Sequence, residues 1–259
     1  MKLGLNIDHI AVLREARKVN DPDPLQALGI AQRSGVDLIT IHLREDRRHI
    51  HDDDASAIVS LSHLPVNIEC ATDEKIIKII KILKPNKATL VPEKREEVTT
   101  EGGLNLESGY EKIKNAIQEL KASNIEVSLF VEPCKKIIEL SKELGADAVE
   151  LHTGKYANIY AMLYSNISRT RYAPADLDLP AKELEELLAN EIEKIKLAAK
   201  TAVNLEMKCA AGHGLNYQNV GAIASLDEID ELNIGQSIIA RSVFTGLDSA
   251  IAEMKALIG

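Results

Sequence analysis

The stretch Gly35-Val36-Asp37-Leu38-Ile39-Thr40-Ile41-His42 leaves a helix end, enters a strand and finishes on a histidine. Glycine is the residue most often found just after a helix, and the apolar run behind it predicts a strand over Asp37–His42. The same order returns at Gly145-Ala146-Asp147, where His152 again comes seven residues after the glycine. Two copies of a unit in which a helix leads into a buried strand favour an α/β fold.

Outward from this unit, short apolar segments recur along the whole chain and alternate with helical patterns. The predicted strands are Leu3–Ile7, Asp37–His42, Val66–Glu69, Lys87–Val91, Glu126–Val131, Ala148–Leu151, Leu205–Cys209 and Glu231–Ile234. Thr72 is the predicted N-cap of one intervening helix, and Pro180 begins a longer one. Strands without alternating polarity are typical of parallel strands buried on both faces. Eight of them predict a closed (β/α)8 TIM barrel with extra helices, formed by residues 1–259 as one domain.

Composition narrows the class of protein. The 259 residues fit a single α/β barrel, and a hydrophobic content of 45% with only 3% aromatic residues predicts an aliphatic core. The net charge of −9 disfavours a nucleic-acid partner, and the apolar runs are too short to span a membrane. Asp8 interrupts the N-terminus before any apolar signal region, which predicts a cytoplasmic protein. Cys70, Cys134 and Cys209 lack CxxC spacing, so neither a disulfide nor a structural zinc site is expected.

Two segments exceed what a minimal barrel needs. Residues 92–108 form a long charged loop with a glycine pair, Gly102-Gly103, and loops of this length are uncommon unless they are functional. We expect this loop to be an active-site lid. Residues 156–179, inserted after the sixth strand, carry four of the six tyrosines. Tyrosine suits surfaces that are partly apolar and partly wet, so we expect this insertion to contact another subunit.

Polar residues gather where the predicted strands end, which is where the active site of a (β/α)8 barrel lies. The residues at these ends are Asn6, Asp8, His9, His42, Arg44, Arg47, Arg48, His49, Glu69, Glu93, Glu132, Glu150, His152, His213, Gly235 and Gln236. Five of the seven histidines are among them. A single histidine at a strand end is most often structural, but this concentration on one rim indicates a functional cluster.

The residue types on this rim suit acid/base chemistry on phosphorylated substrates. Arg44, Arg47 and Arg48 follow His42, and arginine offers a planar fork for phosphate or carboxylate; a solvated charge run is the alternative. Glu69 lies on an apolar strand, where burial raises the pKa of a carboxyl and suits it to general acid or base work. Gly212, Gly214 and Gly235 would let backbone N–H groups approach a phosphate.

Several longer motifs, spread over nearly the whole chain in one order, are specific enough to identify a family. They are Leu5-Asn6-Ile7-Asp8-His9, Ile41-His42-Leu43-Arg44-Glu45-Asp46-Arg47-Arg48-His49-Ile50, Val91-Pro92-Glu93-Lys94-Arg95, Thr99-Thr100-Glu101-Gly102-Gly103, Glu150-Leu151-His152-Thr153-Gly154, Ala211-Gly212-His213-Gly214-Leu215 and Glu231-Leu232-Asn233-Ile234-Gly235. With these motifs the chain resembles the pyridoxine 5'-phosphate synthases. The resemblance implies condensation of 3-amino-2-oxopropyl phosphate with 1-deoxy-D-xylulose 5-phosphate to pyridoxine 5'-phosphate, phosphate and water.

The resemblance also implies roles for individual residues. His42 and Glu69 would accept protons, His213 would donate one, and Glu150 would stabilise a transition state. The amino-ketone phosphate would be bound by Asn6, Arg17, Gly214, Gly235 and Gln236. The deoxyxylulose phosphate would be bound by Asp8, His9, Arg44, His49 and Thr99. No cofactor and no metal are implied. The expected partners are the two phosphorylated substrates and further copies of the chain, which would form a homo-octamer of four dimers.

The chain departs from the family pattern at two places, and two other functions remain as alternatives. Gln236 stands where the family usually has histidine, and the insertion at 156–179 is longer than in many members. A metal-dependent barrel lyase or hydrolase is one rival, because the rim carries residue types that bind zinc, namely His9, His42, Glu69, His152 and His213. A non-catalytic barrel that senses a sugar phosphate is the other, although it leaves the acid/base residues without a use.

Overall fold

A computed structural model describes residues 1–93 and 102–259 of the chain. In this part of the chain, eight parallel strands form a closed barrel in which each strand pairs with the next and β8 pairs with β1. The strands are β1 Lys2–Asn6, β2 Leu38–His42, β3 Val66–Cys70, β4 Lys87–Leu90, β5 Glu126–Val131, β6 Ala148–His152, β7 Lys208–Gly212 and β8 Glu231–Ile234. The predicted (β/α)8 barrel is therefore confirmed.

The helices surround the barrel, and several strand connections carry more than one of them. Over the described residues they are α1 Asp8–Arg17, α2 Gln26–Arg33, α3 Asp52–Leu61, α4 Glu74–Leu83, α5 Tyr110–Lys121, α6 Lys135–Leu144, α7 Gly154–Tyr164, α8 Ala181–Asn204, α9 Val220–Ala224, α10 Gln236–Thr245 and α11 Leu247–Ile258. Both α1 and α2 lie between β1 and β2, both α7 and α8 lie between β6 and β7, and both α10 and α11 follow β8. These three pairs account for the extra helices that the sequence predicts. None of the described helices is long and apolar enough to cross a membrane.

Strand β2 shows how the side chains of one strand are divided between the helix layer and the barrel interior. All five of its residues are buried, because one side packs on helices and the other faces the barrel interior. Ile39 and Ile41 belong to the aliphatic core, whereas Thr40 and His42 alternate with them and make polar contacts. Side chains that alternate along a strand thus separate an apolar layer under the helices from a polar column inside the barrel.

Two predicted boundaries are wrong, for local reasons. The seventh strand begins at Lys208 rather than Leu205, because α8 continues to Asn204 and Glu206 turns the chain with a φ of 56°. The strand therefore ends at Gly212, and His213 follows it directly. The N-cap of α4 is Asp73 rather than Thr72, since the Asp73 carboxylate accepts hydrogen bonds from two backbone N–H groups of the first turn.

The segment at 156–179 is only partly a free surface. Tyr156 is buried in the core and its hydroxyl donates to the backbone oxygen of Asn219 at 2.6 Å. The Tyr160 hydroxyl similarly donates to the backbone oxygen of Gln218 at 2.9 Å. Tyr164 and Tyr172 are exposed instead. Two of the four tyrosines thus attach α7 to its own barrel, and only the other two are available for another molecule.

The loop predicted as a lid, residues 92–108, falls partly outside the described residues. Residues 94–101, with Thr99 among them, are not described, so the lid stays a prediction. Residues on both sides of this undescribed segment form hydrogen bonds to the rim. On its N-terminal side, Glu93 Oε1 lies 2.8 Å from His42 Nε2. On its C-terminal side, the backbone N–H of Gly103 donates to Glu132 Oε1 at 2.9 Å.

Candidate active site

A column of polar side chains fills the centre of the barrel. At its lower end, Lys87 Nζ lies 2.5 Å from Glu231 Oε1, and both side chains are almost fully buried. Above them the side-chain amide of Asn233 donates to Glu231 Oε1 at 3.1 Å and to Glu150 Oε2 at 2.8 Å. A buried charge is tolerated only when it is paired and hydrogen-bonded, and this chain of contacts meets that requirement. The column leads from the bottom of the barrel to Glu150.

A second set of hydrogen bonds orients Asn233 from the side. The Thr40 hydroxyl donates to Asn233 Oδ1 at 3.1 Å and accepts from the Asn67 side-chain amide at 3.5 Å, and the Thr89 hydroxyl in turn donates to Asn67 Oδ1 at 2.9 Å. Two glycines make room for the column. A Cβ at Gly4 would lie 2.0 Å from Asn233 Oδ1, and one at Gly212 would lie 2.3 Å from Glu150 Oε1. Strands one and seven therefore lack side chains where the interior polar groups need the space.

Glu69 and Glu150 are the acidic groups at the top of the column. Burial, with the neighbouring charges of Glu150 and Asp8, raises the pKa of Glu69 well above its ordinary value. Burial also raises the pKa of Glu150 to about 7, although Lys87 opposes the shift. Two carboxyls that share a site cannot both ionise easily, so the pair can hold a proton near neutral pH. Such a pair can accept and return protons during catalysis.

His42, at the end of β2, is held between two carboxylates. Its Nε2 lies 2.8 Å from Glu93 Oε1, and its Nδ1 lies 3.8 Å from Glu69 Oε2. The His42 backbone N–H donates to Asp8 Oδ1 at 2.9 Å, and the Asp8 backbone N–H in turn donates to Asn6 Oδ1 at 3.0 Å. Burial raises the pKa of Asp8 to about 6. The ends of β1 and β2 are thus joined through their polar residues.

The arginine-rich loop after β2 separates its three arginines. Arg47 binds Asp52 through two nitrogens at 2.8 and 3.0 Å, and Arg48 binds Asp46 at 2.6 Å. Arg44 differs, because it is 4% exposed and lies against the site with its Nε 3.5 Å from Asp46. The alternative of a solvated charge run holds best for Arg47 and Arg48, whose partners lie on the surface. Arg44 is the most buried of the three, and its charge acts to lower the pKa of Asp8 and of Glu93 at the rim.

His49 completes this side of the rim. Its Nδ1 accepts a hydrogen bond from the Ile50 backbone N–H at 2.9 Å. Burial, together with the charges of His42 and Arg44, lowers the pKa of His49 to about 3. Arg14 supports the loop from α1: it donates to the His49 backbone oxygen at 2.9 Å and binds Asp54 with two nitrogens.

On the opposite side of the rim, His213 lies beside His152. Their ring centroids are 5.0 Å apart, and the His213 backbone has a φ of 79°. Burial and the two neighbouring histidines, His152 and His9, lower the pKa of His213 to about 4. The ring is therefore neutral at pH 7, and an anion bound against it would raise the pKa. His152 is held by Glu132, whose Oε1 lies 2.8 Å from its Nδ1.

The glycine positions around His213 and α10 bring the backbone close to other groups. Gly214 has a φ of 80°, and a Cβ there would lie 2.6 Å from Ala157 Cβ. A Cβ at Gly235 would lie 2.8 Å from the Asn6 backbone oxygen and 3.0 Å from His9 Nδ1. Gln236 is exposed and begins α10, whose first N–H groups and dipole favour an anion.

Comparison with known proteins decides the family. Residues 3–259 match the family described as pyridoxal phosphate biosynthesis protein PdxJ. The chain belongs to this family. As a PdxJ protein it is an enzyme of pyridoxal phosphate biosynthesis, so the family resemblance drawn from its motifs is confirmed.

Relatives of similar length agree. The pyridoxine 5'-phosphate synthase of Aliarcobacter butzleri is 60% identical over 258 residues, covering 100% of this chain and 99% of the relative. That of a Nitratiruptor species is 61% identical, covering 100% and 97%. Among solved structures, 3-hexulose-6-phosphate synthase has a TM-score of 0.60 at 14% identity and covers 100% of both chains. Phosphoribosylanthranilate isomerase from Thermotoga maritima has a TM-score of 0.55 at 12% identity, covering 100% and 98%. These two likenesses show the barrel fold alone.

Most of the residues predicted for the PdxJ site meet at the carboxyl rim of the barrel. They are Asn6, Asp8, His9, His42, Arg44, His49, Glu69, Glu150, His213, Gly214, Gly235 and Gln236. Arg17 is not brought there: it is exposed at the last turn of α1, about 14 Å along the helix from Asp8 at 1.5 Å per residue. Thr99 lies outside the described residues.

Several residues that shape this site carry no role in the sequence prediction. The sequence predicts Glu93 and Glu132 on the rim without assigning them a partner, and it gives no role to Arg14, Lys87 and Asn233. Lys87 and Asn233 give one signal, because each is a polar residue within an apolar strand segment. Among the described residues, no cluster of three or more His, Cys, Asp and Glu side chains could hold a metal ion.

Proposed function

We infer that the chain condenses 3-amino-2-oxopropyl phosphate with 1-deoxy-D-xylulose 5-phosphate to form pyridoxine 5'-phosphate, phosphate and water. Membership in the PdxJ family supports this activity, as do full-length relatives that carry the synthase name. The observation that carries it in the structure is the convergence of His42, Glu69 and Glu150 above one buried polar column. A reaction that moves many protons needs several acid/base groups facing one cavity.

The chemistry matches the groups present. An amine adds to a ketone and water leaves, a phosphate ester is eliminated, and ring closure with further loss of water gives the aromatic pyridine. His42 and Glu69 accept protons in these steps, and His213 donates one. Glu150 stabilises the positive charge that develops on nitrogen as the carbonyl oxygen leaves, because its ionised carboxylate is buried nearby.

The two substrates divide the rim between them. Asn6, Gly214, Gly235 and Gln236 bind the amino-ketone phosphate near the N-terminus of α10. Asp8, His9, Arg44 and His49 bind the deoxyxylulose phosphate on the β1–β2 side, where Arg44 supplies the positive charge. The described structure of a single chain supports no role for Arg17 at this rim, and the role of Thr99 rests on the family resemblance.

Turnover with both substrates tests the function directly. The purified enzyme should produce a pyridine absorption band and free phosphate only when both phosphorylated substrates are present. Mixtures that omit one substrate, and the Glu69→Gln variant, serve as controls. EDTA should leave the rate unchanged, because the arginine at the rim repels cations. A rate abolished by EDTA and restored by zinc would support the metal-dependent rival, and saturable binding without turnover would support the sensor.

Assembly and location extend the proposal. We propose a cytoplasmic homo-octamer built from dimers, with Tyr164 and Tyr172 at a contact between subunits, because both rings are exposed on the segment after β6. The double variant Tyr164→Ser, Tyr172→Ser should have a lower mass in light scattering, whereas Tyr110→Ser, on α5, should not. An unchanged mass for the double variant would place the contact elsewhere. Cell fractionation tests the location.

A further inference from the structure

Glu93 is the last described residue before position 94, and each of its two carboxylate oxygens makes a hydrogen-bond contact. Oε1 lies 2.8 Å from His42 Nε2, and Oε2 accepts the Glu45 backbone N–H at 2.9 Å. The side chain is 5% exposed and that of His42 is 7% exposed, so water competes little for either contact. Glu93 therefore joins the end of β4 to the end of β2 through the imidazole.

The charge of Glu93 follows from its surroundings. Burial raises the pKa of Glu93, but the hydrogen bond with His42, the charge of a protonated His42, the Glu45 N–H and Arg44 together hold it below its ordinary value. The Glu45 N–H and the charge of Arg44 continue to act when His42 is neutral. An ionised carboxylate has only acceptor sites. The nitrogen that faces it must then carry hydrogen, which places the proton of a neutral His42 on Nε2.

We propose that Glu93 is a positioning residue that holds His42 as the Nε2–H tautomer, so that the free lone pair of Nδ1 is the proton acceptor. This inference rests on the proposed function, in which His42 is a base. Nδ1 faces Glu69 Oε2 across 3.8 Å, too far for a hydrogen bond, and a substrate proton can reach the lone pair there. When Nδ1 takes that proton, the electron pair of the broken bond stays on the substrate. The resulting imidazolium keeps its Nε2–H bond to Glu93.

The glutamine variant gives the sharpest test, because the Glu45 N–H can only donate. In Glu93→Gln the single amide oxygen must turn to that N–H, and the amide NH2 then faces His42 Nε2. The contact forces Nε2 to accept and moves the ring proton to Nδ1, which blocks the base. Glu93→Ala removes the contact and leaves both tautomers accessible. The isosteric variant should thus be the worse enzyme.

We expect Glu93→Gln to lower kcat by about 100-fold or more, within the range of a lost general base, with KM changed less than about threefold. Glu93→Ala should lower kcat only about tenfold. A merely structural role predicts the opposite order, since glutamine keeps the volume and alanine leaves a hole. Glu111→Gln removes an exposed carboxylate of α5 and should behave as the native enzyme. An alanine variant as poor as the glutamine variant, or poorer, overturns the proposal.

Nitrogen NMR of 15N-histidine-labelled protein reads the tautomer without turnover. His42, assigned by its absence in His42→Gln, should be the Nε2–H form in the native protein and the Nδ1–H form in Glu93→Gln. An unchanged Nε2–H form in the variant would contradict the proposal even if activity falls. If the native protein has no synthase activity, the proposed function fails while the tautomer measurement still decides the role of Glu93. Thermal unfolding of each variant verifies that it is folded.

Discussion

The side-chain amide of Asn233 on β8 donates a hydrogen bond to the Glu150 carboxylate on β6, with 2.8 Å between Nδ2 and Oε2. The two residues are 83 positions apart in the sequence and meet only inside the closed barrel. Burial raises the pKa of Glu150 to about 7, while Lys87 and this hydrogen bond act in the opposite direction. Asn233 thus helps set how much of Glu150 is ionised at neutral pH.

Asn233→Ala should therefore raise the pKa of Glu150 above its present value. Removing a donor destabilises the ionised form, so less carboxylate is present at pH 7 and kcat falls several-fold there. The loss should diminish as the pH rises, because Glu150 ionises again, and the acidic limb of the kcat profile should move to higher pH. Asn115→Ala, an exposed change on α5, is the control. A profile that overlays the native one would show that Asn233 does not tune Glu150.

Gly212→Ala should damage the site, because the new Cβ would lie 2.3 Å from Glu150 Oε1 and 3.1 Å from the Asn233 backbone oxygen. Glu150 must move, so kcat should fall, and overpacking should lower the free energy of unfolding by about 1–3 kcal/mol. Gly221→Ala is the matched control on α9, where a Cβ meets nothing within 4 Å. It should stabilise the protein by about 0.5–1 kcal/mol. Urea unfolding and turnover measure both effects, and full activity in Gly212→Ala would contradict the prediction.

Asp54→Asn should destabilise the protein in a pH-dependent manner. Arg14 donates to both Asp54 oxygens, at 2.8 and 2.7 Å, and the His51 backbone N–H donates to Oδ2 at 2.9 Å. Burial opposes ionisation, but these contacts hold the pKa of Asp54 below its ordinary value. For a depressed pKa, the stabilisation is complete above the unfolded value of about 4 and is lost as the pH falls through the folded value.

The two proteins should therefore differ by about 1–3 kcal/mol at pH 7, and the difference should begin to shrink below about pH 4 and vanish only below the lowered pKa of folded Asp54. Urea unfolding at a series of pH values measures the difference. Asp53→Asn, an exposed change in the same turn of α3, should differ little from the native protein. A difference that stays constant down to pH 3 would mean that the charge of Asp54 contributes nothing.

Gln236→His should change binding rather than chemistry. In the proposed function, backbone N–H groups at the start of α10 bind the phosphate of the amino ketone, and glutamine donates one neutral hydrogen bond where histidine could donate a charged one. The KM for the amino-ketone phosphate should change by about tenfold or less, with kcat nearly unchanged. This KM should also become more pH-dependent between about pH 6 and 7, where histidine titrates. A loss of kcat at constant KM would instead place position 236 in the chemical step.

Local sequence was sufficient to predict the helices and strands and the polar residues at the carboxyl rim of the barrel. The apolar strands and glycine-ended helices predict a barrel because strand burial on both faces leaves a periodicity that can be read without partners. The positions of the strand ends predict that His42, Glu69 and His213 lie at the site, since all parallel strands of a barrel end on one rim. The seventh strand was misplaced by three residues, because the end of α8 at Asn204 depends on packing and on the turn at Glu206.

Tertiary structure alone decided which of these groups touch. Barrel closure fixes the stagger between strands, and that stagger places Asn233 against Glu150 and Lys87 against Glu231. The reach of Glu93 to His42 crosses from β4 to β2, past the intervening β3. Residues this far apart in the sequence leave no periodic signal of their contact, so the sequence determined which chemical groups line the rim, while the closed barrel determined their pairing and their pKa values.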